Sequence, residues 1–167
     1  MKGLALMLVA CSTAALAQMP ETAKAELKDA NGKAIAMVTL TETPHGVLMR
    51  GMLMNAPSGV HAFHVHAVGK CEAPFTSAGG HFNPDSKQHG MANDMGMHAG
   101  DMPNLTVPAD GNLTFDILNQ AVTLKAGPNS LFKDGGTALM LHGGADDYKG
   151  DPAGNAGPRV ACGVITH

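Results

Sequence analysis

The sequence predicts an all-β protein with an antiparallel sandwich or barrel fold. Several short runs alternate between apolar and polar side chains, which is the period of a strand with one buried face. The 167 residues include 21 Gly and 10 Pro, a composition that favours turns and short strands over long helices. This length allows one domain with a well-buried core, and a net charge of −3 does not suggest a nucleic-acid partner.

The N-terminus is predicted to be a secretory signal peptide over residues 1–17, followed by a single folded domain over 18–167. A positively charged start, an apolar run and a small-residue cleavage pattern precede Gln18. The stretch is too short to span a membrane, and it indicates export of the chain. The alternative is a lipid-attachment box at Leu8–Cys11, in which Cys11 would anchor the protein as a membrane lipoprotein.

The strands follow one another with brief turns, as expected for an antiparallel meander. An Asn-Gly pair at 31–32 lies between two alternating runs and is a strong hairpin signal. Gly- and Pro-containing turns separate the later runs. The predicted strands are Thr22–Lys28, Ile35–Thr41, Val47–Leu53, Gly59–His66, Leu113–Leu118, Ala121–Leu124, Ala138–His142 and Arg159–Ile165.

The strand Gly59–His66 carries the first candidate metal ligands. Strand alternation places His64 and His66 on one face, with apolar residues on the other face turned into the core. Two imidazoles two residues apart can bind one ion, and neutral imidazole suits copper and zinc. His61 faces away from His64 and is predicted to be a structural histidine bonded to the backbone.

Residues 67 to about 112 have neither strand nor helix period, so they predict a long loop that needs another source of order. The loop contains the pattern H-x7-H-x8-H-x2-D, a set of three imidazoles and one carboxylate of the type that zinc takes in structural sites. Metal binding would then be coupled to folding of the loop. The four residues are His81, His89, His98 and Asp101. A second set suited to copper consists of His64, His66 and the distant His142.

Two cysteines remain once a signal peptide containing Cys11 is removed. An even number of distant cysteines in an exported chain favours a disulfide between Cys71 and Cys162, and two buried free thiols are the alternative.

Methionines cluster among the candidate zinc ligands. They are either flexible packing residues or soft ligands for Cu(I). The cluster comprises Met91, Met95, Met97 and Met102.

Four separated motifs resemble the copper/zinc superoxide dismutase family. The match runs from about residue 22 to the C-terminus, and the motifs occur in the family's order. They are Gly59–His66, Ser77–Pro84, His98–Asp101 and Gly154–Ile165. The spacing from His66 through Cys71 to Phe75 is similar to that of the bacterial exported branch. The resemblance implies a Greek-key β-sandwich or flattened barrel of about eight strands, with immunoglobulin-like architecture, two long loops forming the metal site, and a periplasmic location.

The resemblance also implies a role for each matching residue. His81 would contact both metals, with one copper and one zinc per subunit. The copper ligands would be His64, His66, His81 and His142, and the zinc ligands His81, His89, His98 and Asp101. Asp146 would tie one copper histidine to one zinc histidine. Arg159 would guide the anionic substrate, and Cys71 would pair with Cys162. Lys70 and Lys149 are either additional steering cations or solvated surface lysines.

The implied function is dismutation of superoxide to O2 and H2O2 by alternate reduction and oxidation of copper, with Arg159 and His81 as the catalytic residues. The alternative is an exported copper/zinc-binding protein of the same fold without turnover, which would not need Arg159. A plain binding sandwich would need no metal and would leave the long loop without a cause of order. A homodimer is compatible with the resemblance, but no stretch of the sequence fixes an interface.

Overall fold

The computed structural model describes residues 21–167, which form nine strands and one short 3₁₀ helix at Thr76–Ala78. No helix in this range is long and apolar enough to cross a membrane. The prediction of an all-β fold is confirmed. The strands are β1 Thr22–Lys28, β2 Ala34–Thr43, β3 Gly46–Leu53, β4 Gly59–His61, β5 Phe63–His66, β6 Leu105–Val107, β7 Leu113–Asn119, β8 Ala138–His142 and β9 Arg159–Val164.

Seven strands form one antiparallel sheet in the order β5-β8-β9-β1-β2-β3-β7. Consecutive strands β1, β2 and β3 form a meander, and β9 returns from the far end of the chain to lie beside β1, which is a Greek-key arrangement. Strands β4 and β6 pair with each other in a separate two-stranded sheet.

The core follows from strand alternation. β1 alternates exposed and buried residues without a break, and its buried side chains join those of the other strands in one large cluster. Phe63 and Phe115 meet edge to face within this cluster, with ring centroids 5.4 Å apart. Strands β5 and β8 are instead buried on both faces along their whole length. The histidines of these two strands therefore lie on the most enclosed part of the sheet.

The predicted strand Gly59–His66 is wrong as a single element, because the chain breaks at Ala62. The Ala62 N–H donates to Gly144 O at 2.8 Å, and the Ala62 carbonyl accepts from the His142 N–H at 2.9 Å. The half before the break pairs with β6, and the half after it pairs with β8. β6 lies inside the region predicted to be a loop, so its three residues were missed.

The predicted strand Ala121–Leu124 is also wrong. Alternate side chains of this segment are indeed buried, since Val122 is 3% and Leu124 2% exposed. The backbone, however, pairs with side chains and with the turn that follows instead of with a strand of the sheet. The Leu124 N–H donates to the Glu42 carboxylate at 2.7 Å, Asn129 Nδ2 donates to Ala121 O at 2.7 Å, and the Thr123 N–H donates to Asn129 O at 3.1 Å. A segment can thus bury alternate residues without joining a sheet.

The predicted disulfide between Cys71 and Cys162 is confirmed. It joins the start of the long loop to β9 and lies in a second, smaller apolar cluster. That cluster comprises Phe75, Ala78, Ala138, Met140 and Cys162. The disulfide therefore fixes the first part of the loop, residues 71–79, against the sheet.

Opening this disulfide should lower the stability of the fold. The bond closes a loop with a sequence separation of 91 residues. The chain-entropy model assigns such a loop up to about 4–5 kcal/mol. We expect the Cys71→Ala/Cys162→Ala variant to unfold at a lower denaturant concentration than the oxidised protein. Wild-type protein treated with reductant serves as the control and should move in the same direction. An unchanged midpoint in both samples would contradict this account.

Candidate metal centre

Three histidines project from the doubly buried strands. His64 and His66 lie on β5, and His142 ends β8, which pairs with β5 along its length. All three are at most 3% exposed. Their backbone positions are fixed by the sheet, so this part of the site is rigid before any ion binds.

The long loop returns to the edge of β5 and brings further ligands with it. The Phe82 N–H donates to Val65 O at 2.8 Å, and the Val65 N–H donates to Gly100 O at 2.9 Å. Gly100 allows this approach, because a Cβ atom at that position would lie 2.3 Å from Val65 O. His81 and Asp101 are the neighbours of Phe82 and Gly100, so the same contacts hold them beside the strand.

The structure brings all the predicted ligands into two adjoining groups whose candidate ligand atoms lie within 4.8 Å of one another. We call them the tetra-histidine group and the mixed group, and His81 belongs to both. The tetra-histidine group comprises His64, His66, His81 and His142, and the mixed group comprises His81, His89, His98 and Asp101.

The mixed group has the dimensions of a zinc site. Four atoms converge: the Nδ1 atoms of the three histidines and Oδ1 of Asp101. Asp101 Oδ1 lies 2.9 Å from His81 Nδ1, 3.0 Å from His89 Nδ1 and 3.4 Å from His98 Nδ1. Tetrahedral zinc with bonds of about 2.0–2.1 Å requires ligand atoms about 3.3 Å apart. The donor atoms therefore fit zinc with small adjustments.

Backbone contacts orient the Asp101 carboxylate. Its Oδ2 accepts hydrogen bonds from the N–H groups of Gly90 and His98, each at 3.0 Å, which leaves Oδ1 facing the ring nitrogens. Burial alone would raise the pKa of Asp101, but the hydrogen bonds from His81 and His89 outweigh it and hold the pKa well below its usual range. The carboxylate is thus charged, as a metal ligand must be.

The tetra-histidine group contains buried nitrogen atoms that lack partners within the protein. Within residues 21–167, they are His64 Nδ1, His81 Nε2 and His142 Nδ1. Buried polar atoms without partners are costly and call for an explanation. In addition, His66 Nε2 and His142 Nε2 face each other at 3.3 Å. An ion bound between these rings through His64 Nδ1, His81 Nε2 and the two facing Nε2 atoms would give these nitrogens a partner, so the donor set fits a metal that prefers imidazole.

The ring nitrogens of His66 and His142 are free to bind because both rings are uncharged near neutral pH. Burial and the neighbouring His81 lower the pKa of His66 to about 2. Burial, together with His64 and His81, lowers the pKa of His142 to about 3. The close approach of several imidazoles in a water-poor site therefore keeps the lone pairs available.

Asp146 connects the two groups. Its Oδ2 contacts His64 Nε2 and its Oδ1 contacts His89 Nε2, both at 2.9 Å. Burial favours the neutral acid, but these histidines lower the pKa of Asp146 to about 2. For His89, burial lowers the pKa, and hydrogen bonds to Asp101 and Asp146 outweigh it and raise the pKa to about 9. Asp146 thus sets the orientation of one ring in each group.

Sequence reasoning missed the residues that hold Asp146. Asn104 Oδ1 accepts from the Asp146 N–H at 2.8 Å, and Asn104 Nδ2 donates to Asp146 O at 2.9 Å. The Asn104 N–H donates to Tyr148 Oη at 2.8 Å. Gly154 leaves the necessary space, since a Cβ atom there would lie 1.9 Å from Asp146 Oδ1. Tyr148 is the only tyrosine of the chain and lies two residues from Asp146. This proximity was the one feature of the sequence that could have pointed to a role for Tyr148 near Asp146.

Arg159 lies beside the tetra-histidine group, at an open cavity of about 720 Å³ that His66, His81 and His142 also line. Its guanidinium donates to Phe75 O and Gly79 O, both at 2.6 Å. Gly79 O also contacts His66 Nδ1 at 3.0 Å, so one carbonyl fixes both side chains.

Apart from histidines, Arg159 is the one cationic side chain among the described residues that line this cavity, and Asp151 is the one carboxylate. The two lysines considered above are not among the lining residues. Lys70 instead forms a surface ion pair with Glu72 at 3.1 Å. The positive charge at the cavity is therefore concentrated at Arg159.

His61 occupies the structural role predicted for it. Its Nδ1 contacts His142 O and its Nε2 contacts Pro57 O, both at 2.9 Å. The prediction that His61 is bonded to the backbone is confirmed, and the ring supports the end of β8 from outside the two groups.

Comparison with known proteins identifies relatives over most of the chain. Residues 34–165 match the family model described as copper/zinc superoxide dismutase (SODC). Superoxide dismutase [Cu-Zn] 1 of Aquifex aeolicus is 53% identical over 144 residues, which cover 84% of this chain and 85% of the relative. Superoxide dismutase [Cu-Zn] of Caulobacter vibrioides is 41% identical over 148 residues, covering 86% and 85% of the two chains.

Solved structures with the same fold give a consistent result. A superoxide dismutase-like protein from Bacillus subtilis superposes with a TM-score of 0.82 at 34% identity, covering 84% of this chain and 96% of that one. Cu/Zn superoxide dismutase from Brucella abortus superposes with a TM-score of 0.71 at 28% identity, covering 86% and 99%.

Replacing Asp146 should weaken metal binding in both groups, because one ring of each would lose the partner that orients it. We expect Asp146→Ala to reduce the affinities for copper and zinc by roughly 10–100-fold, the usual effect of losing such a partner. Competition with a chromophoric chelator measures both affinities. Asp116→Ala, which removes an exposed carboxylate paired with Arg50, is the matched control and should bind both ions like the wild type. Unchanged affinities in Asp146→Ala would refute the orienting role.

Proposed function

The chain belongs to the copper/zinc superoxide dismutase family. From this premise we propose that it dismutes superoxide, and we propose which residues bind each of the two metals and which take part in the reaction. The observation that carries the proposal is the pair of adjoining donor groups that share His81. Each group offers four ligand atoms of the kind that one of the family's two metals prefers.

Copper is assigned to the tetra-histidine group. All four donors are imidazoles, and the side of the group that faces the cavity is open to a small molecule. Zinc is assigned to the mixed group, where three imidazoles and a carboxylate form a closed tetrahedral set. Each subunit would hold one ion of each kind.

Bound copper supplies a change between Cu(II) and Cu(I), so that two superoxide anions and two protons become O2 and H2O2. His81 is proposed to hold one of the two protons and to donate it during the reaction. Its Nδ1 lies 2.9 Å from Asp101 Oδ1, on the zinc side, while its Nε2 has no partner within the described residues. The ring is thus fixed through one nitrogen, and the other nitrogen can hold a proton or serve as a ligand.

Arg159 is proposed to attract and dock superoxide. Two of its N–H donors are occupied by backbone carbonyls at 2.6 Å, which hold the guanidinium at the cavity, and further donors remain for an anion. A fixed cation in a cleft raises the local concentration of an anionic substrate even when the whole protein is negatively charged. The carboxylate of Asp151 stands at the same cavity and opposes this attraction.

The direct test is the rate of superoxide decay with protein loaded with copper and zinc, compared with zinc-loaded protein and with free copper. We expect rapid decay that requires copper and slows as salt is added, because salt screens the attraction of the anion. Full loading with both metals but no acceleration of decay would support the alternative of a metal-binding protein without turnover. That alternative is worth testing because one relative, from Bacillus subtilis, is named only superoxide dismutase-like.

Substitution of Arg159 separates its charge from its hydrogen bonds. We expect Arg159→Ala to lower the second-order rate of superoxide decay by about tenfold or more and to reduce its dependence on salt. Arg159→Lys should restore the salt dependence, because the charge is retained, while the rate recovers only in part. Arg50→Ala, which removes an exposed cation outside the cavity, is the control and should leave the rate unchanged. Equal rates for Arg159→Ala and the wild type, at equal metal content, would exclude the steering role.

Export to the periplasm is a further proposal, with residues 1–17 as the signal peptide and 18–167 as the mature domain. The signal lies outside the described residues, as does Cys11 of the alternative lipid anchor. The Cys71–Cys162 disulfide supports export, since disulfides persist in oxidising compartments. We expect mass spectrometry of the soluble periplasmic fraction to find a mature chain that begins at Gln18. A chain lipidated at Cys11 in the membrane fraction would favour the lipid anchor.

Homodimer formation is likewise a proposal, and light scattering, which measures the molar mass in solution, would test it.

A further inference from the structure

Methionines are exposed on the outer side of the loop that carries the mixed group. Met91 is 41% and Met95 is 68% exposed. Buried methionines fill gaps in a core, and Met102, at 1% exposed, fits that role while also lining the cavity described below. Met91 and Met95 do not fit it, because a large part of each residue is exposed to water.

Three of the methionines line a cavity of about 360 Å³. Met91, Met97 and Met102 line it together, next to the outer side of His98 and Asp101. His98 also lines the cavity at Arg159, so the two cavities adjoin the same zinc-side histidine from different directions. The rest of the wall comes from the exposed Asp85 and Lys87, from Ala99 and Pro103, and from residues 117–121 at the end of β7 and in the turn that follows it.

Hydrogen bonds within this loop join its backbone at residues 88–96. The Gln88 N–H donates to Met95 O at 3.1 Å, and the Gly96 N–H donates to Asn93 O at 2.9 Å. Asn93 Nδ2 donates to His89 O at 3.0 Å. These bonds connect the methionine segment to a histidine of the mixed group, so the thioethers are held by the same framework as the metal ligands.

Thioether sulfur is a soft donor and binds Cu(I) in preference to zinc, which favours nitrogen and oxygen here. Among the described residues the two cysteines are consumed in the disulfide, so thioethers are the soft donors available. We propose that Met91 and Met97, with Met102 at the base of the cavity, form a second copper site that takes Cu(I) and is separate from the tetra-histidine group. Nothing in the dismutation itself needs this site.

The test is a Cu(I) titration of protein already loaded with zinc and with copper reduced to Cu(I), carried out without oxygen. A chromophoric Cu(I) chelator reports the copper taken up. We expect the wild type to take up one additional Cu(I) per chain and to keep its zinc. Met91→Leu/Met97→Leu should not take it up at the same chelator concentration, because leucine keeps the apolar volume but lacks sulfur. Superoxide decay should be unchanged in that variant.

The matched control is Met37→Leu/Met52→Leu, which removes two other exposed methionines that face each other on β2 and β3. This variant should retain the additional Cu(I). The methyl resonances of Met91 and Met97 should shift when Cu(I) is added, while those of Met37 and Met52 should not. The proposal is overturned if the wild type takes up no additional copper, if the Met91/Met97 variant still takes it up, or if the control variant loses it.

Discussion

The architecture of the site depends on two buried carboxylates surrounded by imidazoles. Asp101 holds the mixed group together from within, and Asp146 joins that group to the tetra-histidine group through contacts of 2.9 Å on both sides. Charge in such a place is costly unless it is paired and hydrogen-bonded. Here every carboxylate oxygen has a partner, and the histidines that serve Asp146 are those that a metal would fix from the opposite side of the ring.

The rest of the fold can be understood as support for this network. Two strands buried on both faces supply a rigid base, and the long loop is fixed to it by the disulfide and by pairing with Val65. Within residues 21–167, the buried side-chain atoms left without a hydrogen-bond partner are three ring nitrogens. Bound ions would complete the network, so metal binding and loop order reinforce each other. The same framework holds Arg159 at the cavity beside the tetra-histidine group.

Much of this was readable from the sequence because the informative signals are local. The alternation around His64 and the spacing of His81, His89, His98 and Asp101 can be seen in short stretches of sequence. Asp146 and Arg159 were identified only through the resemblance to the family. The errors in the predicted strands share one cause. The hydrogen-bond partner of a backbone group is set by residues that are distant in the chain. The break at Ala62 depends on Gly144 and His142, and the false strand at 121–124 depends on Glu42. Asn104 was invisible for the same reason, since its role exists only once Asp146 has been brought beside it.

Anomalous diffraction tests most directly the assignment of copper to one group and zinc to the other. The crystals would contain protein loaded with both metals, and data would be collected at both absorption edges. The account predicts one copper peak among His64, His66, His81 and His142. It predicts one zinc peak among His81, His89, His98 and Asp101, with His81 between the two ions. A single shared peak, or zinc and copper distributed equally over both positions, would contradict the assignment of a distinct metal to each group.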